Sequence, residues 1–335
     1  MAIFHVNNVR IAGIYAAVPS KIEHNDSLKH LFKQDDSKKV FDSLGIKERR
    51  VVDDNVRTSD LCVKAAEELL DELKWRKDSI SLLIFVSQTP DHLLPSTSCL
   101  IQKRLKLPES CISFDINLGC SGYVYGLSVI SKMISSTHER ALLLVGDTPS
   151  LFVSKSDPAT APVFGDAGTA TCLEFNENNT MVFDFGTDGR GGDFLKIDGG
   201  GYRNKNNPKK EIFMDGKEVF SFALRNVPKS IKSVLNEKNW VVEDVDAFVL
   251  HQANSFLLKH IGKQLQISAD KLIIEMEKYG NTSAASIPLA LSVYLSKNID
   301  INLDKVVMSG FGVGWSWGSA ALSMSKILKT KVLEI

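Results

Sequence analysis

The feature that most constrains the fold of this 335-residue chain is a weak repeat of its first half in its second half. Three pairs of segments resemble each other: the strand-like run 82–87 with the helix after it and 246–265; 112–134 and 273–295; and the apolar strands that end at Gly146 and Gly310. Each match alone is weak, but one offset of about half the chain in all three pairs favours duplication of a structural unit. We therefore predict two similar halves, 1–175 and 176–335.

The repeated unit has the pattern of an α/β fold. Strand-like runs that are apolar along their whole length alternate with helical patterns; examples are 81–87, 141–145, 247–250 and 305–308. Such strands are buried on both faces, so helices must cover both sides of the sheet. The sequence predicts helices from Thr58 to about Leu73 and over 98–105. Loops after equivalent strands should meet between the halves, where open α/β sheets place their ligands.

Composition excludes several classes of function. The 40 basic residues balance 40 acidic ones, so no overall field draws the protein to nucleic acid or to an anionic membrane. No apolar run approaches the roughly 20 residues that span a bilayer, and the N-terminus lacks the pattern of a signal peptide. The five cysteines form no CxxC pair and no metal-binding spacing with histidine. This favours reduced thiols, no metal and a cytoplasmic protein.

Segments rich in charge or glycine predict surface rather than a binding site. Basic clusters at 103–106 and 205–210 could dock an acidic partner, but a solvated surface is the commoner meaning of such runs. Residues 186–211, rich in Gly, Asn and Lys, predict a long surface excursion. This excursion is not a phosphate loop, because it lacks Gly-Lys-Ser/Thr and the chain has no GxGxxG between a strand and a helix.

Cys120 is the candidate nucleophile. It lies in Gly119-Cys-Ser-Gly122, between the strand-like run 112–116 and an apolar helical pattern. A helix N-terminus at such a turn stabilises negative charge, so we expect a lowered thiol pKa, and the two glycines leave room for a substrate. A lone cysteine is more often a buried apolar side chain, which is our interpretation of the other four cysteines.

His251 and Asn281 lie where the duplication would bring them to Cys120. His251 directly follows the apolar strand 247–250, and Asn281 occupies the duplicate of the Cys120 turn. Taken singly, each would be a capping or turn residue. Together, a thiol, an imidazole and a carboxamide at one centre predict catalysis.

These side-chain types suit acyl transfer followed by decarboxylation. A thiolate attacks a thioester without a strong general base. A second substrate that loses carbon dioxide becomes an enolate, whose oxygen is stabilised by neutral donors such as an imidazole N–H and a carboxamide. The Gly-rich segment 310–319 could add a backbone N–H to an oxyanion hole with that of Cys120. From this segment alone, a tight turn packed with tryptophans is an equal alternative. A Cys-His-Asn protease would use the same three side-chain types in different roles.

Over almost its whole length, the sequence resembles the β-ketoacyl-acyl carrier protein synthase III family, which has the thiolase fold. The motifs that carry the resemblance are Gly45-Ile-Lys-Glu-Arg49, Leu94-Pro-Ser96, Cys120-Ser-Gly122, Phe164-Gly-Asp-Ala-Gly168, Met214-Asp-Gly-Lys-Glu-Val-Phe220, His251-Gln-Ala-Asn254, Gly280-Asn-Thr-Ser-Ala-Ala285 and the Gly-rich segment. Thiolases carry a second cysteine in that segment, and elongating ketoacyl synthases a second histidine in place of Asn281; this chain has neither. Plant-type polyketide synthases share the three types but are usually longer.

The resemblance implies two duplicated βαβαβαββ halves in a five-layer α-β-α-β-α sandwich. It also implies that Cys120 takes an acyl group from a primer thioester, and that His251 and Asn281 bind a malonyl thioester during decarboxylation to give a 3-oxoacyl thioester. The resemblance further implies that no cofactor is permanently bound and that the substrates are acyl-coenzyme A or acyl-carrier protein, and malonyl-carrier protein. Acyl carrier protein is the expected partner, and the expected assembly is a homodimer.

The resemblance assigns roles to further residues. The Val313 N–H would complete the oxyanion hole, and Phe311 would lie against the malonyl carboxylate. Gly312 and Gly314 would shape the same pocket, and Leu94 would lie near the acyl pocket across the dimer interface.

The chain departs from the family where coenzyme A is recognised. The family sandwiches the adenine between a tryptophan and an arginine; here the first position falls at about Lys39, and 156–163 contains no arginine. The family usually has a basic residue just after the His-Gln-Ala-Asn motif. At that position this chain has Phe256, preceded by Ser255. Losing these contacts would remove several kcal/mol of coenzyme A recognition. We therefore expect a different, larger or carrier-bound acyl donor.

Two alternatives remain open from the sequence. The acyl group on Cys120 could pass to an alcohol or amine, as in an acyltransferase of secondary or glycan metabolism. The chain could also be a non-catalytic subunit of a synthase heterodimer, although the intact Cys120, His251 and Asn281 argue against this.

Overall fold

The structure is a computed structural model that describes residues 2–33, 36–298, 301–324 and 328–335. Its strands are β1 (Ala2–Val18), β2 (Ile22–His24), β3 (Glu48–Arg50), β4 (Leu82–Val86), β5 (Ile112–Ile116), β6 (Arg140–Asp147), β7 (Ala167–Thr187), β8 (Leu195–Ile197), β9 (Ile212–Met214), β10 (Ala247–Leu250), β11 (Leu272–Ile273), β12 (Lys305–Gly312), β13 (Ser316–Ser323) and β14 (Lys329–Glu334). Its α-helices are α1 (Asp36–Leu44), α2 (Thr58–Leu73), α3 (Thr97–Leu105), α4 (Gly122–Met133), α5 (Gly216–Lys238), α6 (Ser255–Leu265) and α7 (Ser286–Lys297).

The two halves repeat one strand arrangement. In the first, β4 pairs in parallel with β5 and β6, and β6 pairs antiparallel with β7. In the second, β10 pairs in parallel with β11 and β12, and β12 pairs antiparallel with β13. The long strand β7 joins the two groups, because it pairs with both β6 and β13, and β1 pairs antiparallel along it. These equivalences follow the segments whose resemblance predicted the duplication.

The boundary predicted at 175/176 falls within β7. Up to Glu174 this strand pairs with β6, and from Val182 onward it pairs with β13. The strand therefore serves both halves, and the boundary stays a prediction.

Helices lie on both faces of each of the two groups of strands. α4 contacts β4 and β6 on one side and β12 and β13 on the other, and α7 likewise touches strands of both halves. α2 and α3 cover the outer face of the first half, and α5 covers that of the second, with α6 against it. One apolar cluster fills the centre, where Leu127 of α4 and Ile287 of α7 are fully buried, and two more lie under the outer helices. This is the predicted order of layers, α-β-α-β-α.

The predicted elements agree with the structure in most places, with two differences. The helix from Thr58 to Leu73 has the predicted bounds, and 98–105 lies inside α3. The strand expected at 273 is only two residues long. The segment 186–211 is not only a surface excursion, because β8 within it pairs with β9 and its residues Leu195 and Ile197 line an internal cavity. A pattern rich in glycine and charge gave no sign of so short a strand pair.

Candidate active site

Cys120 lies between β5 and α4, at the start of a helix of the central layer. Its side chain is buried, with 8% of the residue exposed. The β12–β13 turn packs directly against it: a Cβ atom on Gly312 would lie 3.1 Å from the Cys120 sulfur and 2.7 Å from its Cβ. Only glycine allows this approach, which brings the Gly-rich segment to the thiol.

The surroundings of the thiol correct the expected direction of its pKa. The Ser283 hydroxyl, 3.9 Å from the sulfur, and the backbone N–H groups of Cys120 and Val313 stabilise the thiolate and so lower the pKa. Burial outweighs them and, with the nearby charge of Asp147, raises the pKa of Cys120 to about 12. The prediction of a lowered pKa was wrong, because the sequence pattern showed the helix N-terminus but not the depth of the site.

His251 follows β10 and is held as a neutral imidazole. Burial lowers the pKa of His251 to about 3. Its Nδ1 lies 2.7 Å from the Ser286 hydroxyl, and that oxygen is 3.4 Å from the Gln252 N–H. We assign the Ser286 hydroxyl as the acceptor from the Gln252 N–H and as the donor to Nδ1, which places the proton of the neutral ring on Nε2. The imidazole therefore offers one N–H donor on its other side.

Asn281 lies in the turn before α7. Its backbone N–H donates to the Val163 carbonyl at 2.8 Å, which ties the turn to the segment before β7. Its side-chain oxygen accepts from the Ser283 N–H at 2.9 Å. The amide oxygen is thus occupied within the turn, and the NH₂ group remains available as a donor.

Four further predicted residues lie at the same centre. Phe311 is buried and meets the His251 ring edge to face, with centroids 5.4 Å apart. Gly312 touches Cys120 as described, and Val313 and Gly314 line a cavity beside the thiol. Leu94 differs from these residues: it is 78% exposed and lines neither of the cavities at Cys120 in its own chain.

Two cavities meet at Cys120. One of about 320 Å³ is lined by Cys120, His251, Asn281, Phe311 and Gly312, and it extends to Val40, Pro158, Phe220 and Phe256. The second, of about 500 Å³, is lined by Gln88, Asn117, Asp147 and Ser283 on one side and by Leu195, Ile197 and Ile212 on the other. An extended substrate could therefore reach the thiol through one cavity while an acyl chain occupies the other.

Residues that sequence reasoning missed complete this centre. Ser283 and Ser286 contact the thiol and the imidazole, and Asp147 ends β6 beside them. The position of Asp147 at the carboxyl end of an apolar strand was a usable signal, because the same rule located His251. No sequence pattern predicted that β8 and β9 line the larger cavity.

The sequence of the chain matches two family models. Residues 114–189 match 3-oxoacyl-[acyl-carrier-protein (ACP)] synthase III, and residues 235–324 match the C-terminal part of 3-oxoacyl-[acyl-carrier-protein (ACP)] synthase III. The chain is also 34% identical to the β-ketoacyl-[acyl-carrier-protein] synthase III of Natranaerobius thermophilus over 95% of its own length and 99% of that protein. It is 35% identical to the putative 3-oxoacyl-[acyl-carrier-protein] synthase 3 of Campylobacter jejuni, over 98% of this chain and 97% of that one.

A solved structure is similar throughout. The 3-oxoacyl-(acyl-carrier protein) synthase of Burkholderia xenovorans LB400 superposes with a TM-score of 0.95 at 39% identity, covering 100% of this chain and 99% of the other. These likenesses confirm the thiolase-like fold and the resemblance drawn from the motifs. No helix of the described residues has the length and apolarity to cross a membrane.

Proposed function

The chain belongs to the β-ketoacyl-[acyl-carrier-protein] synthase III family, and on that premise we propose how its own residues join an acyl group to a malonyl thioester. It is a condensing enzyme of the acyltransferase class. The observation that supports the assignment of residues is the meeting of two cavities at Cys120, one of which is lined by His251 and Asn281. We assign the other cavity to the acyl chain of the primer.

In the first step, the sulfur of Cys120 attacks the carbonyl of a primer thioester. The negative oxygen of the tetrahedral intermediate is bound by the backbone N–H groups of Cys120 and Val313. In the protein without substrate, both N–H groups stabilise the thiolate of Cys120 and lower its pKa. The acyl chain then extends into the cavity lined by Leu195, Ile197 and Ile212.

In the second step, a malonyl thioester enters by the other cavity. The Nε2–H of His251 and the NH₂ group of Asn281 donate to its thioester carbonyl. Loss of carbon dioxide leaves an enolate, and these two neutral donors stabilise its oxygen. Phe311 faces the carboxylate with an apolar ring, which favours the uncharged product. The enolate carbon then forms a bond to the acyl carbon on Cys120, and the bond from that carbon to the Cys120 sulfur breaks. The products are a 3-oxoacyl thioester and the Cys120 thiolate, which regains a proton.

The acyl donor is proposed to be carrier-bound rather than free coenzyme A. Among the described residues that line the cavity leading to Cys120 from His251, none is a lysine or arginine. At its rim, the Phe256 ring is stacked on that of Phe220, with centroids 5.6 Å apart, and lies tilted against that of His260, with centroids 4.1 Å apart. An apolar rim suits the pantetheine arm but gives the phosphates of coenzyme A no partner.

The assembly is proposed to be a homodimer. Leu93 and Leu94 are 76% and 78% exposed on neighbouring positions of one loop. Two exposed leucines side by side fit an interface better than a solvated loop. Burial of Leu94 against the acyl cavity of the partner would explain why it lies away from the cavities of its own chain.

A mass measurement tests the assigned reaction. The enzyme is incubated with a primer thioester and malonyl-carrier protein, and the product is weighed. We expect loss of carbon dioxide and a gain of two carbons on the primer, abolished in Cys120→Ala and retained in Cys99→Ser, whose thiol is exposed on α3. Transfer of the acyl group to an alcohol or amine instead would contradict the proposal. The relatives named above are synthases. They therefore give no support to transfer of the acyl group to an alcohol or amine, or to a non-catalytic subunit.

The donor is tested by intact mass of Cys120. Acylation from a carrier-bound primer should exceed that from acetyl-coenzyme A at equal micromolar concentration. Efficient acetylation by acetyl-coenzyme A would overturn the carrier-bound donor while leaving the condensation intact.

A further inference from the structure

Asp147 is a buried carboxylate that the condensation steps leave without a role. It ends β6 and is 2% exposed. Its Oδ1 accepts from the Ser87 hydroxyl at 3.0 Å and the Gln88 N–H at 2.7 Å, and its Oδ2 accepts from the Ala284 N–H at 3.2 Å. Its hydrogen-bond partners among the described residues are hydroxyls and N–H groups, with no lysine, arginine or histidine.

Ser283 connects this carboxylate to the nucleophile. Its hydroxyl interacts with the Asp147 carboxylate, whose pKa it lowers, and lies 3.9 Å from the Cys120 sulfur. The serine is held in an unusual position, with a left-handed backbone at φ 51° and its N–H bound to the Asn281 side chain. A non-glycine residue persists in that conformation only when its surroundings require it, and such residues cluster at functional sites. All three groups line the same cavity.

We propose that Ser283 and Asp147 form a proton path from Cys120, along which the thiol proton leaves as the sulfur attacks the primer thioester. The inference rests on the proposed function, because it concerns the acylation step. Ser283 contacts the reacting sulfur, and Asp147 acts through Ser283.

The step balances as follows. The Cys120 thiol passes its proton to the Ser283 oxygen, and the Ser283 hydroxyl proton moves to the Asp147 carboxylate. The sulfur forms a bond to the thioester carbon, and the bond from that carbon to the carrier sulfur breaks. The departing thiolate takes the proton back by the same path, so one thiol and one thioester are consumed and one of each is formed.

The other groups at the centre are poorer acceptors. Burial lowers the pKa of His251 to about 3, and its Nδ1 already accepts from Ser286. Burial instead raises the pKa of Asp147, which makes this carboxylate a better proton acceptor than an exposed one. The titratable groups that interact with Asp147 among the described residues are the thiols of Cys120 and of Cys62 on α2. Burial raises the pKa of Cys62 as well, so that thiol stays neutral.

The alternative to a proton path is a purely local role, and the two make opposite predictions. The charge of Asp147 raises the pKa of Cys120. If Asp147 were only a neighbouring charge, Asp147→Asn would increase the thiolate fraction and speed acylation. If it accepts the proton, the same substitution slows acylation at neutral pH, although alkylation by iodoacetamide, which reports the thiolate alone, is unchanged or faster.

The test measures single-turnover acylation of Cys120 by intact mass from pH 6 to 9 in the full-length protein. We expect Asp147→Asn and Ser283→Ala each to slow acylation about 100-fold at pH 7, the lower end of what a positioned proton-transfer group contributes, and to recover part of the rate at higher pH, where hydroxide accepts the proton instead. The double variant should be no slower than either single one, because both remove one path. Ser87→Ala is the matched control: it removes a donor to the same carboxylate that does not face Cys120, and its pH profile should stay that of the wild type.

Three outcomes would overturn the proton path. The first is acylation by Asp147→Asn that is as fast as in the wild type at every pH. The second is a loss that is equal at every pH and accompanied by slower alkylation, which indicates a structural role. The third is a double variant whose loss is the product of the two single losses. Absence of acylation in the wild type would instead refute the proposed function, and the path with it.

Discussion

Burial of neutral His251 should make the stability of the protein depend on pH in a way that one substitution can isolate. The pKa of His251 is about 3 in the folded protein and 6.5 when the imidazole is free. Between these values the unfolded chain binds a proton that the folded protein does not. Stability contributed by this histidine is therefore complete at high pH and is lost as pH falls below 6.5, the direction expected for a base with a depressed pKa.

The size of the effect follows from the two pKa values. At pH 5 the unfolded imidazole is almost fully protonated and the folded one is not, which costs about 2 kcal/mol of unfolding free energy relative to pH 8. Buried carboxylates act in the opposite direction; burial raises the pKa of Asp166 to about 6, for example. The wild-type slope alone therefore mixes several groups, and a variant is needed to separate them.

The assay is urea unfolding at pH 8, 7, 6 and 5, at one protein concentration, for the wild type and His251→Gln. The glutamine is neutral at every pH, so the variant should lose about 2 kcal/mol less than the wild type between pH 8 and pH 5. Replacement of His92 by glutamine is the control, because its side chain is exposed, and should keep the wild-type slope. Parallel stability curves for the wild type and His251→Gln would refute the neutral buried imidazole, and with it the Nε2–H donor assigned to the malonyl carbonyl.

Three further predictions concern the same centre. Ser286→Ala removes the partner of the His251 Nδ1, so release of carbon dioxide from a malonyl thioester should fall about 10-fold, the effect of one lost hydrogen bond; an effect confined to acylation would contradict the tautomer assignment. Gly312→Ala places a Cβ 2.7 Å from that of Cys120, so urea unfolding should show a loss of about 1–3 kcal/mol, and acylation measured by intact mass should slow; a variant as stable and as fast as the wild type would show that the turn does not pack on the thiol. Phe256→Arg returns a cation to the rim of the entrance cavity and should lower KM for acetyl-coenzyme A about 10-fold with little change for a carrier-bound primer; equal effects on both donors would argue against a missing phosphate contact.

The sequence predicted those catalytic residues that lie after the end of a strand. Cys120, His251 and Asn281 could be located because each follows an apolar strand or its duplicate, and because the repeat offset requires those turns to meet. The position of a motif along the chain carries this information. The apolar strands also predicted helices on both faces of the sheet, whereas the order of the five layers was predicted from the family resemblance.

The remaining features depend on how deeply a residue is buried and on the direction of its side chain. The spacing of residues along the sequence does not determine either. The thiol of Cys120 has a raised pKa because burial outweighs the helix N-terminus and nearby donors. Ser283 and Ser286 stand in a run of small residues, where no pattern distinguishes a hydroxyl that touches sulfur or imidazole from one that packs. The pair of strands β8 and β9 is too short for a periodic signal.

That short pair of strands has a consequence for how enzymes of this kind can diversify. Ile197 of β8 and Ile212 of β9 line the wall of the cavity proposed for the acyl chain, whereas Cys120, His251 and Asn281 lie in turns next to the strands that the two halves repeat. Substitutions in the wall can change which primer fits without moving an atom that takes part in bond making. In this architecture, primer selectivity can therefore change during evolution while the catalytic residues and the reaction stay the same.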